Sequence, residues 1–338
     1  MSSRPISAPR ERVNALVIRS AVVAAIGGLI FGFDTAVISG ANDALADRFK
    51  LDDFGTGLTV AIATVGTIFG ALIGGRLADR YGRKNLLFVI GILYVLGSVG
   101  TAVAWTHAIL LAFRFVGGIG VGLSSVCAPI YTAEIAPARI RGRLVGLVQF
   151  NIVLGILLAY LSNYIIQQNI TDPMEAWRWM LGVMVVPSVI FLLLLFSVPE
   201  TPRWLMSRGR NKEAVEISRR LCSTREESEE QIAEIREQLA ADRTRGSLSD
   251  FFSPRYRKVV LFAFIIAMCN QLSGINAILY YAPKVLEKAG ASEDERYLMS
   301  VAVGVMNLIA TMAALTVIDK IGRRSLMIVG SIGYLLSL

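Results

Sequence analysis

The chain has 338 residues, of which 54% are hydrophobic and only 18% charged, with a mean hydropathy of +0.57; a soluble domain carries about 25% charged residues. The apolar residues fall into runs of roughly 20, the length a helix needs to cross a ~30 Å hydrocarbon core, so the composition describes an all-α polytopic membrane protein and excludes a soluble enzyme. The formal charge of +8 lies in short basic blocks between apolar runs, a pattern of membrane topology, and no nucleic-acid partner is expected.

In chain order, apolar spans are expected at about residues 20 to 40, 57 to 76, 86 to 105, 109 to 131, 144 to 166, 178 to 198, 259 to 282 and 297 to 318, with a partial one from 325. Arg4, Arg10, Arg12 and Arg19 precede the first run without a small-residue cleavage site, which reads as a retained first helix. With the N-terminus in the cytoplasm, only Arg48, Lys50, Arg178, Lys284, Lys288 and Arg296 lie outside and only Arg114 within the membrane, while the remaining Lys and Arg face the cytoplasm. The expectation is a multi-pass protein of the plasma membrane, of the bacterial inner-membrane kind, with a cytoplasmic N-terminus. The charged stretch divides it into a six-helix bundle over 1–198, a cytoplasmic linker over 199–258 and a partial second bundle over 259–338.

An internal duplication supports that division. DRYGRKNLLFVIG from Asp79 and DKIGRRSLMIVG from Asp319 share Asp, Gly, Arg and Leu at matching offsets, each after an inward-running span. The repeat unit is then six helices, and a second half of equal length would run to about residue 440. Residues 325–338 span only ~21 Å, so the sequence is expected to stop inside a ninth helix, either as a fragment of a twelve-helix protein or as a truncated product. In the linker, Ile232, Ile235 and Leu239 at i, i+3 and i+7 among charges predict an amphipathic surface helix.

Asp34 and Arg114 lie inside spans, where each costs about 2.5–3.5 kcal/mol on insertion scales and therefore calls for a role. Both fall ~9 Å below the outer surface if their helices are straight. They are expected to pair, so that protonating the aspartate releases the arginine and couples proton binding to helix rearrangement; the plainer alternative is a static tie between two helices. Near the inner face, Asp79 is placed to receive the dipole of the third helix and neighbouring guanidiniums such as Arg83. Glu134 and Arg141 flank the inner end of helix four, and Glu200 and Arg203 follow helix six. Together with Asp319 and Arg323 of the second motif, these charges are read as a breakable gate.

Neutral amides in mid-span, namely Gln149, Asn270, Gln271, Asn276 and Asn307, offer both donors and acceptors, as a polyhydroxylated neutral ligand requires. Gln271 and Asn276 are ~140° apart on an ideal helix, so they line one cavity only if NQLSGIN unwinds around Gly274. Asn276 and Tyr280 share a face at i, i+4. Gly117, Gly118, Gly120 and Gly122 follow no strand, which argues for close helix packing and against dinucleotide binding. Cys127, Cys222 and Cys269 form no CxxC pair or Cys/His cluster, so neither metal nor cofactor is expected. His107 reads as a loop residue without a role.

These motifs carry a resemblance. GGLIFGFDTAVISG, GGRLADRYGRK, RFVGGIGVG, PIYTAEIAPARIRGR, PETPRWL, NQLSGINAILYYAP and DKIGRRS, in that order along the whole chain, make it similar to the sugar porters of the major facilitator superfamily. The resemblance implies two six-helix bundles around a central site for a hexose, pentose or cyclitol, rocking by alternating access, and a monomer when full length. It implies sugar contacts by Phe31, Gln149, Gln271, Asn276, Tyr280 and Asn307, with Asn270 beside them, an outer gate at Tyr281, and proton coupling by Asp34 with Arg114. Passive members usually lack that carboxylate, so symport is favoured over facilitated diffusion or a non-transporting sensor. Asn270-Gln271 stands where many members have Gln-Gln, which implies altered substrate choice.

Overall fold

In a computed structural model, which describes residues 14–137, 140–170, 172–242 and 256–337, eight helices are long and apolar enough to cross a membrane. Their starts follow local capping chemistry. The first helix, α1 (Ala15–Phe49), is capped by Asn14, α2 (Asp53–Tyr81) by Asp52, and α4 (His107–Ile135) by Thr106, each side chain accepting from a backbone N–H of the first turn. The chain turns from α2 into α3 (Arg83–Ala102) at Gly82, whose φ is +99°. Following these is α5 (Arg141–Asn169).

The sixth span is broken, which the apolar pattern alone does not announce. It comprises α6 (Pro173–Gly182), started by the Asp172 cap with Pro173 in the first turn, and α7 (Val185–Leu194), closed by a 3-10 turn over Leu195–Ser197. Pro187 accounts for the break: it donates no N–H, and its ring clashes with the carbonyl four residues before it, at Val183.

Helices pair through small residues. α2 lies along α4 and α1 along α5; a Cβ on Gly66, Gly70, Gly118 or Gly122 would strike main-chain atoms across the first contact, and one on Gly32 or Gly155 would do so across the second. Gly117 and Gly120 face α3 less tightly: a Cβ would make ordinary contact with Gly97 at the first and press on the side chains of Leu93 and Tyr94 at the second. Backbones this close gain van der Waals contact in a medium where lipid supplies no hydrophobic drive between helices. The bundle interior holds Tyr94, Tyr131, Tyr160, Trp177 and Phe191, all fully buried.

Among the described residues of the connecting segment are three helices: α8 (Pro202–Ser207), α9 (Asn211–Leu221) and α10 (Arg225–Asp242). Ile232 and Ile235 of α10 bury against Trp204, Leu205, Met206 and Ala214, with Leu239 packed beside them, as the i, i+3, i+7 pattern predicts. The seventh span runs as α11 (Arg257–Leu272), a break at Gly274 with φ +78°, and α12 (Ile275–Tyr280). The unwinding expected in NQLSGIN is thus present. A short α13 (Ala282–Lys288) leads to α14 (Glu293–Ile321), which packs on α5, and Gly322 (φ +85°) turns the chain into α15 (Arg323–Ser337). Gly82 and Gly322 occupy equivalent turns, so the duplicated motif is a duplicated helix–turn–helix.

Candidate functional site

The membrane-buried charges meet. Arg114 and Asp34 are 3.9 Å apart, with their side chains 3% and 14% exposed. Arg114 is held from the other side, because its Nε donates to the Thr59 carbonyl at 3.1 Å. The Thr59 hydroxyl donates to the Gly55 carbonyl at 2.8 Å and so receives the Nε2–H of His107, also at 2.8 Å. His107 is the first residue of α4 and is bonded to the residue whose carbonyl holds Arg114, so the expectation that it lies in a loop is corrected.

The polar residues predicted to face a ligand divide into groups. Phe31 and Gln149 line one cavity of about 270 Å³, with Gly28, Ser124, Pro129 and Ile152. Asn276 and Tyr280 are half-buried on the short α12, where Asn42 Nδ2 donates to the Tyr280 carbonyl at 2.9 Å and the Tyr280 hydroxyl lies 3.5 Å from Thr64 Oγ1. Asn307 is half-buried on α14, one turn beyond the point where Gly304 meets Leu157 and Tyr160 of α5. Asn270 and Gln271 are exposed on the far side of the Gly274 break. Tyr281 is half-buried and packs on the main core.

At the end of the bundle carrying Asp79, most of the predicted charges form one network. Arg83 bonds Asp79 at 2.8 Å and Glu134 at 3.0 Å, and Arg203 lies 3.9 Å from Glu134. The Thr201 hydroxyl donates to Glu134 at 2.6 Å. Trp204 Nε1 and Arg208 donate to the Asp79 carbonyl at 3.0 and 2.9 Å, docking α8 on the turn. Arg141 lines a cavity of about 220 Å³ with Glu134, Arg203, Glu234 and Gln238. The side chains of Asp319 and Arg323 lie outside the described residues.

One assignment in this network changes. The N-terminus of α3 is met by Glu200 and not by Asp79: its carboxylate accepts from the backbone N–H of Arg83 at 3.1 Å, of Lys84 at 3.1–3.2 Å and of Thr201 at 2.8 Å. The positive φ at Gly82 turns the Arg83 and Lys84 N–H groups toward the segment after the sixth span, and a Cβ on Gly82 would collide with Glu200 Oε2. Asp79, by contrast, is 74% exposed. Burial pushes the Glu200 carboxyl above the usual carboxylate range, although the three N–H donors favour its charged form.

Sequence reasoning missed the opposite end, where α12–α14 cross to α1 and α5. Arg296 bonds Asp43 at 3.0 Å and also Glu287, while Lys284 stands 3.9 Å from Asp43. Three further bonds cross the seam: Asn42 to Tyr280, the Tyr160 hydroxyl to the Leu279 carbonyl at 2.8 Å, and the Tyr297 hydroxyl to the Gly40 carbonyl at 3.1 Å. A cavity of about 470 Å³ lies against this seam, lined among others by Asp43, Asp47, Glu287 and Arg296. A usable signal existed in Ser292-x-x-Glu295, a capping box that fixes where α14 starts and thus where Arg296 falls.

The sequence model of the family described as "Sugar (and other) transporter" matches residues 20–338. The arabinose-proton symporter of Bacillus subtilis is 37% identical over 325 residues, covering 95% of this chain and 70% of that protein. The D-xylose-proton symporter of Escherichia coli K12 is 37% identical over 343 residues, covering 92% of this chain and 69% of that one. A partially occluded inward-open structure of the E. coli xylose transporter XylE superposes with a TM-score of 0.84 at 35% identity, over 94% of this chain and 77% of that one. With the eight spans, the duplicated turn and the paired membrane charges, these likenesses lead to one conclusion: the chain belongs to the sugar (and other) transporter family, with the major facilitator fold.

Proposed function

We propose that the chain moves a sugar, whether hexose, pentose or cyclitol, across a membrane by alternating access in symport with a proton. The observation that carries the coupling is the Asp34–Arg114 pair, two ionisable groups within spans and beside the ligand-facing helices. A proton on Asp34 removes the charge that holds Arg114 toward α1, while the Thr59 carbonyl still holds its Nε; the balance between two helix arrangements then depends on protonation. The arabinose and xylose symporters among the relatives support this reading.

In this reading Phe31, Gln149, Asn270, Gln271, Asn276, Tyr280 and Asn307 contact the sugar. Asp34 and Arg114 couple the proton, and Tyr281 closes the outer side. Asp79, Arg83, Glu134, Arg141, Glu200, Arg203, Asp319 and Arg323 gate the inner side. The functional units are an N-terminal bundle over 1–198, a linker over 199–258 and the second bundle from 259. The Asp79 end and the N-terminus face the cytoplasm of a bacterial inner membrane, and the protein works as a monomer when both bundles are whole. The bonds that run from α1 and α5 to α12–α14 at the Asp43 end support taking that end as the closed one.

The test is uptake of labelled xylose, arabinose and glucose into proteoliposomes under an imposed inward proton gradient. Gradient-driven accumulation is expected, and Asp34→Asn should abolish it while sparing exchange of labelled for unlabelled sugar. Uptake indifferent to the gradient would make the chain a passive facilitator; accumulation surviving Asp34→Asn would overturn the coupling assignment.

A further inference from the structure

The seam at the Asp43 end is held mostly by neutral hydrogen bonds to main-chain carbonyls, and one buried cation stands among them. Arg296 lies in the first turn of α14 and Asp43 in the last two turns of α1, separated by 253 positions in sequence. The Arg296 side chain is 9% exposed, whereas its acidic partners Asp43 and Glu287 are 45% and 52% exposed. Its guanidinium carbon also lies 5.2 Å from the centre of the Tyr297 ring. The cation has given up water and the carboxylates have not, so the pairing decides where the arginine can rest. The two acids differ in one respect. Glu287 sits on α13, on the same side of the seam as Arg296, while Asp43 sits across it, on the first bundle.

The Asp79 end is arranged differently. There the described ion pairs, Asp79–Arg83, Glu134–Arg83 and Glu134–Arg203, join parts of the first bundle to one another and to α8. Among the described residues, the ion pairs that cross from the first bundle to the helices after the linker are at Asp43.

We infer that Arg296 is a latch residue of the transport cycle: its bond to Asp43 holds the outer end shut, Glu287 orients it from its own side, and the end opens only when Arg296 leaves Asp43. The inference rests on the alternating-access reading and on neither the sugar nor the proton. Because an outside ligand meets only the fraction of molecules open outward, a weaker latch raises that fraction and lowers the external KM in proportion.

The test reads the mouth directly. In the full chain, with Cys127→Ser, Cys222→Ser and Cys269→Ser, spin labels at Arg48→Cys and Lys288→Cys report the distance across the outer mouth in lipid nanodiscs, without sugar or proton gradient. A short distance should dominate, and Arg296→Gln should raise the long-distance population about tenfold. Asp43→Asn should do the same, the double variant no more than either single one, and Arg296→Lys less. Glu287→Gln should change the distribution little. High salt should open the parent, because Asp43 is half wet, and move Arg296→Gln less, where, among the described residues, only the Lys284–Asp43 contact across the seam is left to screen. If Arg296→Gln fails to fold, Asp43→Asn carries the test alone, being a change at a half-exposed acid. Unchanged distances in Asp43→Asn, or Glu287→Gln reproducing its effect, would overturn the latch and reduce Arg296 to a tie within its own half. Since no gradient is applied, loss of the symport reading through Asp34→Asn leaves this result standing.

Discussion

The two ends of the bundle solve the same problem with opposite materials. At the Asp79 end, Arg83 and Glu134 are buried at 8% and 10% exposure and bonded to each other, with Thr201 and Glu200 completing a dense charged cluster. At the Asp43 end, a buried arginine bonds two half-wet acids, an exposed lysine stands beside one of them, and the other described bonds run from side chain to main-chain carbonyl. The difference teaches where rigidity and release reside. Breaking a buried, fully engaged pair strands a charge away from water, whereas a pair with one wet partner parts at small cost because solvent takes over that partner.

The sharpest way to break this comparison is to remove one acid from each end. Glu134→Ala leaves the buried Arg83 with only the exposed Asp79 as its acid and takes the acceptor from Thr201 and the partner from Arg203, and should cost about 3 kcal/mol, read as thermal unfolding of the purified chain in detergent; Asp43→Ala should cost no more than ~1 kcal/mol. Equal losses would erase the distinction. Next in size is Gly82→Ala, which adds backbone strain at φ +99° to a collision with Glu200 and should cost about 2–4 kcal/mol. At Gly290 near the other end, φ is +102° but the space is open, so Gly290→Ala should cost about 1 kcal/mol from strain alone.

The smallest effect concerns pH. Burial raises the Glu200 carboxyl, so the folded chain holds that proton more tightly than the unfolded one. The stability this contributes is complete below the ordinary carboxylate range near pH ~4.3 and is lost as pH rises through the raised value. Glu200→Gln should remove that decline, making unfolding less dependent on pH from the ordinary carboxylate range upward. A decline unchanged in the variant would assign it to other acids.

What the sequence made legible follows from the same contrast. Apolar runs of span length, the charge-rich motifs around Asp79 and Glu200, and the angular mismatch between Gln271 and Asn276 all leave marks in residue type, and the spans, the cluster and the break at Gly274 stand where those marks put them. The acceptor for α3 was misassigned because Asp79 is adjacent in sequence, while Glu200 arrives from 117 positions away in its bond to Arg83. The split of the sixth span had a mark, Pro187, hidden in a strongly apolar run. The Asp43 seam had almost none, since the acceptors at Tyr280, Leu279 and Gly40 are main-chain carbonyls that every residue carries. Of the amide set, Gln149 shares a cavity with Phe31, while Asn270 and Gln271 stand exposed on α11, a helix with no buried residue; hydropathy gives depth in the membrane and says nothing of which neighbour a face meets.

The glycine contact between α2 and α4 has a mechanical consequence. With main chains touching at Gly66, Gly70, Gly118 and Gly122, these two 29-residue helices have no side-chain cushion over which to slide. They behave as a single beam roughly 43 Å long. Arg114 is fixed near one end of that beam, and Glu134 and the Asp79 turn at the other. A tilt that draws Arg114 away from Asp34 therefore carries Glu134 and the Asp79 turn with it, so that a displacement at one face of the membrane is delivered to the other without loss.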